Sequence, residues 1–530
     1  MAFLNQLIKS TFKLHGFNLN AECTKLVSES LEKVDENKHE DIIEKLIDSI
    51  TKKISDGSSC LTKADIESAL KDFNRDENKS VEKVEIFHLI DAFDIPKSMY
   101  CEVSKKLIKL PNDTRSYKGV NHRALIADSR AKIEIFTQRF KIIHQRTMRH
   151  ELFSPCVVSS NSIGKKKFQL KPIEYLLSNT NQVEDIIVLG MISQLKENKF
   201  YIEDPTGHLP LNLSEANYHN GIYTEGCFVL AEGNLVDGVF EVKALGFPPA
   251  EFESTSRAYF GNINYFGGPN EISCKSSIAL SQAQLSIDSM IVFLSDVWLD
   301  SPKVFEKLQT LFVGYSECPP YAFVMCGNFL SDLKYGLRCN ELSDGFKRLA
   351  DLISQFQAIK DQSHFIFIPG PQDPGVARVY PRAGILPHCT DYIRKKLPKC
   401  HFASNPCRIQ FGSRQIVVLR EDLLQKMSRN AIKIPDQDKL TDDFAKTLIC
   451  QAHLAPLPLH VVPIYWNYDY VMRLYPLPDL VVVADKQKSF THTYTDCTVI
   501  NPGSFPYNNF SFKVYVPTTK QIEDCVIPSD

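Results

Sequence analysis

The chain has 530 residues and a mass of 60.2 kDa. This is too long for one hydrophobic core and predicts roughly three or four domains. Hydrophobic residues make up 43% of the chain and aromatic residues 10%, which is typical of a globular protein and excludes a largely disordered one. The net charge of −2 excludes a global field that would draw the whole chain onto nucleic acid or acidic lipid.

The 15 cysteines include no CxxC pair, which favours free thiols in a reducing compartment over disulfides or a zinc site. The first residues, MAFLNQLIKSTF, lack the long apolar stretch and the small-residue cleavage site typical of a secretory leader, and the sequence has no run of about 18 apolar residues. We therefore expect a soluble protein that is neither secreted nor inserted in a membrane.

Residues 1–75 predict a small helical domain. Asn37 with Glu40, and Thr62 with Asp65, have the spacing of helix N-terminal capping boxes that open amphipathic segments. The pattern does not distinguish a plain bundle from a docking module. Residues 76–130 predict a linker, within which the segment HLIDAFDIPKSMY is apolar enough to pack against another part of the chain.

Residues 131–165 predict a basic helical connector that packs on the core. Its charged side chains favour a solvated helix face over a phosphate-binding surface, and they are Arg139, Lys141, Arg146, Arg149 and His150. The run from Lys165 to Lys167 is interpreted in the same way.

Residues 166–255 predict an OB-fold barrel, because short strand patterns alternate with turns. The turn Asp204-Pro205-Thr206-Gly207 and the hairpin signal Asp237-Gly238 are the strongest of these. OB-folds often bind single strands by stacking bases on aromatic side chains. Little Lys or Arg accompanies the aromatic residues here, which favours a structural barrel; those residues are Phe200, Tyr201, Phe228 and Phe240.

Residues 256–530 alternate between strands and helices. Four apolar runs end abruptly in polar loops: IVFL before Ser295-Asp296, YAFVMC before Gly327-Asn328, FIFIP before Gly370-Pro371, and LVVVA before Asp485. Further strands are predicted at 416–419, 461–466 and 510–516. Strand-end loops are where α/β proteins place their functional groups. The overall prediction is a multidomain α+β protein.

The order of these loops resembles the calcineurin-like metallophosphoesterases. Strands of that family end in DxH, GDxxD, GNHD or GNHE, a lone His and GHTH, and its closing strand often carries NPGS, as Asn501-Pro502-Gly503-Ser504 does here. The resemblance covers roughly residues 288–516 and implies a pocket for two metal ions. The positions that match this pocket are Asp296, Trp298, Asn328, Pro371, Gln372, Asp373, His453, Asp485 and Gln487.

Most ligand positions in this pocket are altered relative to the family. The replacements are Trp298 for a ligand His, Asn328 for the bridging Asp, Pro371 for a ligand Asn, Gln372 for the catalytic His, and Asp485 and Gln487 for the two His of GHTH. Even changes around the ligands cost roughly 10 to 100-fold in metal affinity or activity. We expect a vestigial, catalytically inactive pocket with no metal and no cofactor, in which the Trp298 indole fills the space of the missing cations.

The chain as a whole resembles the B subunits of the eukaryotic replicative DNA polymerases, and within that group those of DNA polymerase epsilon. The strings that carry this resemblance include FHLIDAFDIP, HQRTMRHELF, VLGMISQLKENKFYIEDPTG, YFGNINYFGGP, FLSDVWLD, HLAPLPL and YPLPDLVVVADK. They extend from about residue 88 to residue 516.

The resemblance implies a non-catalytic nuclear subunit in DNA replication. Its barrel and inactive phosphoesterase domain would grip the Cys-rich C-terminal region of the catalytic subunit. Its N-terminal helices would reach the GINS part of the replicative helicase, and the small histone-fold subunits would associate indirectly. Whether it contacts DNA within the complex stays open. Two alternatives remain at this point: an active metal-dependent phosphoesterase or nuclease, and a stand-alone single-strand-binding OB protein.

Overall fold

The computed structural model of the chain describes scattered positions between residues 8 and 47 and residues 85–528, except 111–113, 118–119, 124, 155–167, 180–182, 198, 288, 332–337 and 376–377. The chain divides into two compact units, Met1–Glu85 and Ile86–Asp530. Within the described residues, no helix has the length and apolar composition needed to cross a membrane.

The described positions of the first unit are mostly helical. Ile8, Phe12, Val27, Ile43 and Ile47 are helical and buried, as expected for the apolar face of an amphipathic helix. The predicted capping boxes at residues 37–40 and 62–65 lie outside the described residues, so the small helical domain over residues 1–75 stays a prediction.

The second unit contains a six-stranded, mostly antiparallel barrel. Its strands are β6 Val183–Lys196, β7 Lys199–Asp204, β8 Gly207–Asn212, β9 Asn217–Tyr218, β10 Phe228–Val236 and β11 Val239–Gly246. The order is β10-β6-β7-β8-β11-β9, and an additional pairing between β10 and β11 closes the sheet. The β10–β11 turn has positive φ at Asp237 and Gly238, which is the geometry that the Asp-Gly signal predicts.

Two further six-stranded sheets form the rest of the unit. The first has the order β15-β14-β13-β12-β21-β22, and its strands are β12 Ile291–Ser295, β13 Ala322–Cys326, β14 His364–Ile368, β15 Cys400–Phe402, β21 Ser511–Val516 and β22 Gln521–Val526. The second has the order β1-β16-β17-β18-β20-β19, and its strands are β1 Phe87–Asp91, β16 Cys407–Phe411, β17 Arg414–Arg420, β18 Leu480–Ala484, β19 Phe490–Tyr494 and β20 Cys497–Asn501.

Helices surround these sheets. Their bounds are α1 Ser129–Arg149, α2 Ile173–Leu177, α3 Glu253–Phe260, α4 Ile278–Leu285, α5 Pro302–Gly314, α6 Cys339–Ile353, α7 Gln357–Gln362, α8 Pro387–Lys396, α9 Leu423–Arg429 and α10 Leu440–Gln451. There are also two small hairpins, β2 Ser98–Cys101 with β3 Lys106–Lys109 and β4 Thr114–Tyr117 with β5 Val120–Arg123. Helix α5 begins at Pro302, in agreement with the preference of helix N-termini for proline in the first turn.

The two large sheets pack on each other. Phe293 and Val324 of one sheet and Ile409 and Val482 of the other belong to one fully buried apolar cluster. A second cluster covers the outer face of the first sheet with α5, α6 and α8, and a third covers the second sheet with α9 and α10. The order is therefore helix, sheet, sheet, helix, which buries both faces of each sheet.

The structure corrects the prediction of a linker over residues 76–130, because residues 87–109 contain the strands β1, β2 and β3. Strand β1 pairs with β16 over all five of its residues, from Phe87 with Phe411 to Asp91 with Cys407, and is the edge strand of the second sheet. The apolar side chains of Phe87 and Ile90 are buried there. The sequence analysis predicted that this segment packs against another part of the chain. It did not predict that the segment is a strand of the second sheet, because the flanking residues are charged.

The structure also corrects the prediction that the basic side chains of α1 form a solvated face. Arg139 and Arg146 are 6% and 2% exposed, so this side of the helix is not solvated. Arg139 forms a buried ion pair with Asp469, and Arg146 donates to the main-chain oxygen of Cys450 at 2.6 Å. Their partners lie more than 300 residues away in the chain, beyond the reach of any local pattern.

The prediction of a strand at residues 461–466 is wrong. This segment is a turn followed by a 3₁₀ helix, Trp466–Met472, and only Ile464 makes a bridge, to Tyr380. Pro463 has no N–H group for a sheet ladder, which explains why the apolar run does not form a strand.

Candidate functional site at the strand ends

Strand ends from both sheets meet at one edge of the sandwich. In the first sheet, β12, β13 and β14 are parallel, so Asp296, Asn328 and Asp373 follow neighbouring strands at the same edge. In the second sheet, β17 and β18 are parallel and end at Arg420 and before Asp485. We call these five residues the strand-end cluster.

Asp296 and Arg420 form the centre of the strand-end cluster. The Nη2 atom of Arg420 lies 2.8 Å from Oδ1 of Asp296, and the two side chains are 1% and 4% exposed. The same carboxylate oxygen accepts a hydrogen bond of 3.0 Å from the main-chain N–H of Asn328. These contacts support the left-handed conformation of Asp296, which has a φ of +57°.

Arg420 also joins the two sheets. Its Nε donates to the main-chain oxygen of Gly327 in the first sheet, and its Nη1 donates to that of Ala484 at 3.1 Å in the second. Nη1 lies 2.9 Å from Oδ1 of Asp422 as well. Burial alone would lower the pKa of Arg420, but the charges of Asp296 and Asp422 raise it, so the guanidinium stays charged.

The loops after β13 and β14 are joined by hydrogen bonds of the Asp373 and Asn328 side chains. Asp373 accepts 2.7 Å hydrogen bonds from the main-chain N–H groups of Phe329 and Gly370. Asn328 Oδ1 accepts from the main-chain N–H of Gln372 at 3.0 Å. Burial raises the pKa of Asp373 to about 6, against the lowering effect of these donors.

Asp485 organises the loop after β18. Its two oxygens accept hydrogen bonds from the main-chain N–H groups of Leu424 at 2.8 Å and Gln487 at 2.9 Å. Burial raises its pKa to about 6. The Gln487 residue is exposed and contributes main-chain atoms to this loop. Pro371 and the exposed Gln372 line a cavity next to the cluster.

His453 makes its contacts away from the strand-end cluster. Its Nε2 lies 3.3 Å from Oδ1 of Asp469, the partner of Arg139, and its Nδ1 accepts from the main-chain N–H of Ala455 at 3.0 Å. Burial, followed by the charge of Arg139, lowers the pKa of His453 to about 4, so the imidazole is neutral. The two family-type residues that remain, Asp296 and His453, thus have separate sets of partners.

The contacts of Trp298 are aromatic and apolar, and its filling of the vacated metal site stays a prediction. Its indole packs edge-on against Tyr507, with ring centroids 5.0 Å apart, and against the apolar cluster under α5 and α6. The group in contact with the Asp296 carboxylate is Arg420, which the sequence analysis missed. The signal that could have indicated it is the apolar strand IVVL ending in a charged residue, the same pattern that precedes Asp296 and Asp485.

The strand-end cluster is a buried, hydrogen-bonded polar site in which Arg420 is the counter-charge of Asp296. Nowhere in the described parts of the chain are three or more His, Cys, Asp or Glu side chains grouped to hold a metal ion. A guanidinium in direct contact with Asp296 opposes cation binding there through charge repulsion.

The aromatic side chains of the barrel point to packing as their role. Phe228 and Phe240 are 3% and 0% exposed, and Phe200 packs against the barrel core. Tyr201 is half-buried, and its ring meets His208 edge-on. A base-stacking platform needs exposed rings, so this arrangement fits a structural barrel better than a single-strand-binding surface.

Comparison with known proteins gives this geometry its context. The family of B subunits of DNA polymerases alpha and epsilon matches residues 291–492. The DNA polymerase epsilon subunit 2-like OB-fold domain matches residues 129–249, and the DNA polymerases epsilon N terminal family matches residues 2–73. DNA polymerase epsilon subunit 2 of Homo sapiens is 47% identical over 521 residues, covering 97% of each chain.

The chain belongs to the family of DNA polymerase epsilon B subunits. The DNA polymerase epsilon subunit 2 of Drosophila melanogaster is 40% identical over 540 residues, covering 99% of this chain and 98% of the fly protein. Among solved structures, a novel archaeal phosphodiesterase covers 45% of this chain and 99% of its own, with 12% identity and a TM-score of 0.25.

As a B subunit of DNA polymerase epsilon, the protein is an accessory, non-catalytic component of a DNA-replicating polymerase. Membership implies the catalytic subunit as its partner. The OB-fold predicted from the sequence is confirmed, with its strands inside the matched region.

Proposed function

We propose that this B subunit is a scaffold without phosphoesterase activity. In this proposal its second unit grips the Cys-rich C-terminal region of the catalytic subunit. Residues 1–75 link the polymerase to the GINS part of the replicative helicase in the nucleus, and the small histone-fold subunits associate indirectly.

The contact between Arg420 and Asp296 is the observation that carries this proposal. A two-metal phosphoesterase needs carboxylate and imidazole ligands around two cations about 3.5 to 4 Å apart. Here the Asp296 carboxylate is neutralised by a guanidinium at 2.8 Å, and His453 contacts Asp469 instead. In this proposal the charges of the cluster stabilise the fold.

A hydrolysis assay tests the loss of activity. The full-length protein is incubated with manganese and a chromogenic phosphodiester, and we expect no turnover above a blank without protein. Turnover that depends on manganese and disappears in Asp296→Ala would support the alternative of an active phosphoesterase or nuclease.

Pull-down experiments test the two proposed attachments separately. The full chain is expected to retain both the catalytic subunit's C-terminal region and GINS. A chain lacking residues 1–85 should retain the catalytic subunit and lose GINS, because it keeps the compact unit Ile86–Asp530. Retention of GINS by the shortened chain would contradict the role assigned to the N-terminal helices.

A further inference from the structure

The second unit contains a cavity of about 390 Å³ beside the strand-end cluster. The loops after β14 and β17 form part of its wall, together with residues 460–463. Four cationic side chains line it: Arg378, Arg382, Lys426 and Arg429. Its volume falls in the range of roughly 300 to 1,000 Å³ that is usual for small-ligand pockets.

The two carboxylates that line this basic cavity already have donors. Glu421 is buried and accepts hydrogen bonds of 2.9 Å from both the Tyr380 hydroxyl and the Lys426 ammonium group. Asp422 accepts a hydrogen bond of 2.9 Å from Arg420. Burial alone would raise the pKa of Asp422, but the charge of Arg420 lowers it. The cavity wall therefore carries four cationic side chains against these two carboxylates.

Three arginines give the cavity wall an excess of positive charge. Arg382 is 6% exposed and donates to the main-chain oxygens of Gly370 and Asp373, which are uncharged. Arg378 and Arg429 are exposed, and within the described part of the chain neither forms an ion pair. A lining with three such guanidinium groups favours an anion, and guanidinium forks match the oxygens of a phosphate group.

The shape and the other lining residues favour a peptide over a nucleic acid. Single-stranded nucleic acid is usually held by exposed aromatic rings along an extended groove. The aromatic side chain of this wall, Tyr380, is 5% exposed and its hydroxyl is engaged. Val379, Val461 and Pro463 add apolar surface suited to a peptide backbone and its side chains.

We propose that the basic cavity binds a phosphorylated serine or threonine side chain of a peptide segment. Arg378 and Arg429 contact the phosphate at the mouth, and the buried charge of Arg382 attracts it from within. This binding goes beyond the scaffold function and is independent of whether the strand-end cluster holds metal.

Fluorescence anisotropy on the full-length protein tests the proposal. The probe is a fluorescein-labelled degenerate peptide library with one central phosphoserine, compared with the same library carrying serine. We expect saturable binding of the phosphorylated library, at least about tenfold tighter than that of the other. Equal affinity for the two libraries would overturn the proposal.

Charge-reversal variants locate the site. Arg429→Glu and Arg378→Glu should each weaken phosphopeptide binding about tenfold or more, since each removes a phosphate contact and adds a repulsive charge. Lys347→Glu is the matched control, because Lys347 is exposed on α6 and outside the cavity. Unchanged binding in both arginine variants, with melting temperatures equal to wild type, would overturn the assignment.

Two competitors separate the sources of phosphate. Inorganic phosphate should displace the peptides only at concentrations well above the peptide dissociation constant, and an unlabelled oligo(dT) should compete poorly. Displacement by inorganic phosphate at concentrations equal to those of peptide would show a site for the free anion. Tighter binding of the oligonucleotide, sensitive to Arg429→Glu, would show a nucleic-acid site; either result contradicts the proposal.

Discussion

Replacing Arg420 with methionine is the perturbation that bears most directly on the strand-end cluster. The guanidinium is 1% exposed and lies 2.8 Å from the Asp296 carboxylate. The substitution keeps an unbranched side chain but leaves the Asp296 carboxylate buried without its counter-charge. Breaking a buried ion pair in this way typically costs about 3 to 5 kcal/mol of unfolding free energy.

Thermal unfolding of the full-length protein measures the effect. With an unfolding entropy of about 2.1 cal/mol/K per residue, a unit of the size of Ile86–Asp530 loses about 1 °C of melting temperature per kcal/mol, so Arg420→Met should lower it by roughly 3 to 5 °C. Lys347→Met is the control, since Lys347 pairs with Asp344 on the surface at 3.5 Å and should cost less than about 1 kcal/mol.

The double variant tests the reason given for the loss. Asp296→Asn removes the buried negative charge while its amide oxygen can still accept from the N–H of Asn328. Combined with Arg420→Met, it should recover about 0.5 to 3 kcal/mol relative to the sum of the single variants. Additive losses, or an Arg420→Met melting temperature within the error of wild type, would refute the idea that this pair stabilises the cluster.

Three further predictions concern the parts around the cluster. In urea unfolding, Arg139→Met should lower the free energy of unfolding by about 3 to 5 kcal/mol, because it breaks the buried pair with Asp469. The control Lys141→Met removes a surface pair and should cost less than about 1 kcal/mol. Equal losses in the two variants would favour the solvated helix face instead. Between about pH 7 and pH 5, wild type should lose about 2 kcal/mol more stability than His453→Asn. The pKa of His453 in the folded state, about 4, lies below the ordinary value of 6.5. The contribution of this residue to the stability of the folded state is therefore fully present above pH 6.5 and is lost on acidification. Parallel pH profiles in chemical denaturation would contradict this. Gly327→Ala should cost about 1 to 3 kcal/mol in the same assay, because its Cβ would lie 1.9 Å from Oδ2 of Asp373, and a loss below about 0.5 kcal/mol would contradict that close approach.

The features that the sequence predicts well are local in the chain. The apolar runs before Asp296, Gly327 and Asp485 form β12, β13 and β18, since an uninterrupted apolar segment of this length suits a strand buried on both faces. The Asp237-Gly238 hairpin follows from the positive φ angles that these two residue types tolerate. The clustering of strand ends follows from parallel pairing.

The features that the sequence does not predict depend on distant partners. Arg420 and Asp296 are 124 positions apart, and they meet because two separate sheets pack face to face. Trp298 contacts Tyr507, which belongs to a loop near the end of the chain. His453 was grouped with the pocket from the order of motifs alone, and its position is decided by Asp469 and the buried face of α1.

Calorimetric titration of manganese into the full-length protein tests most directly whether the strand-end cluster is closed to cations. Because Arg420 already neutralises Asp296, the titration should show no saturable heat and no uptake above that of Asp296→Ala. Binding of two manganese ions per chain that is abolished by Asp296→Ala would contradict this interpretation of the cluster.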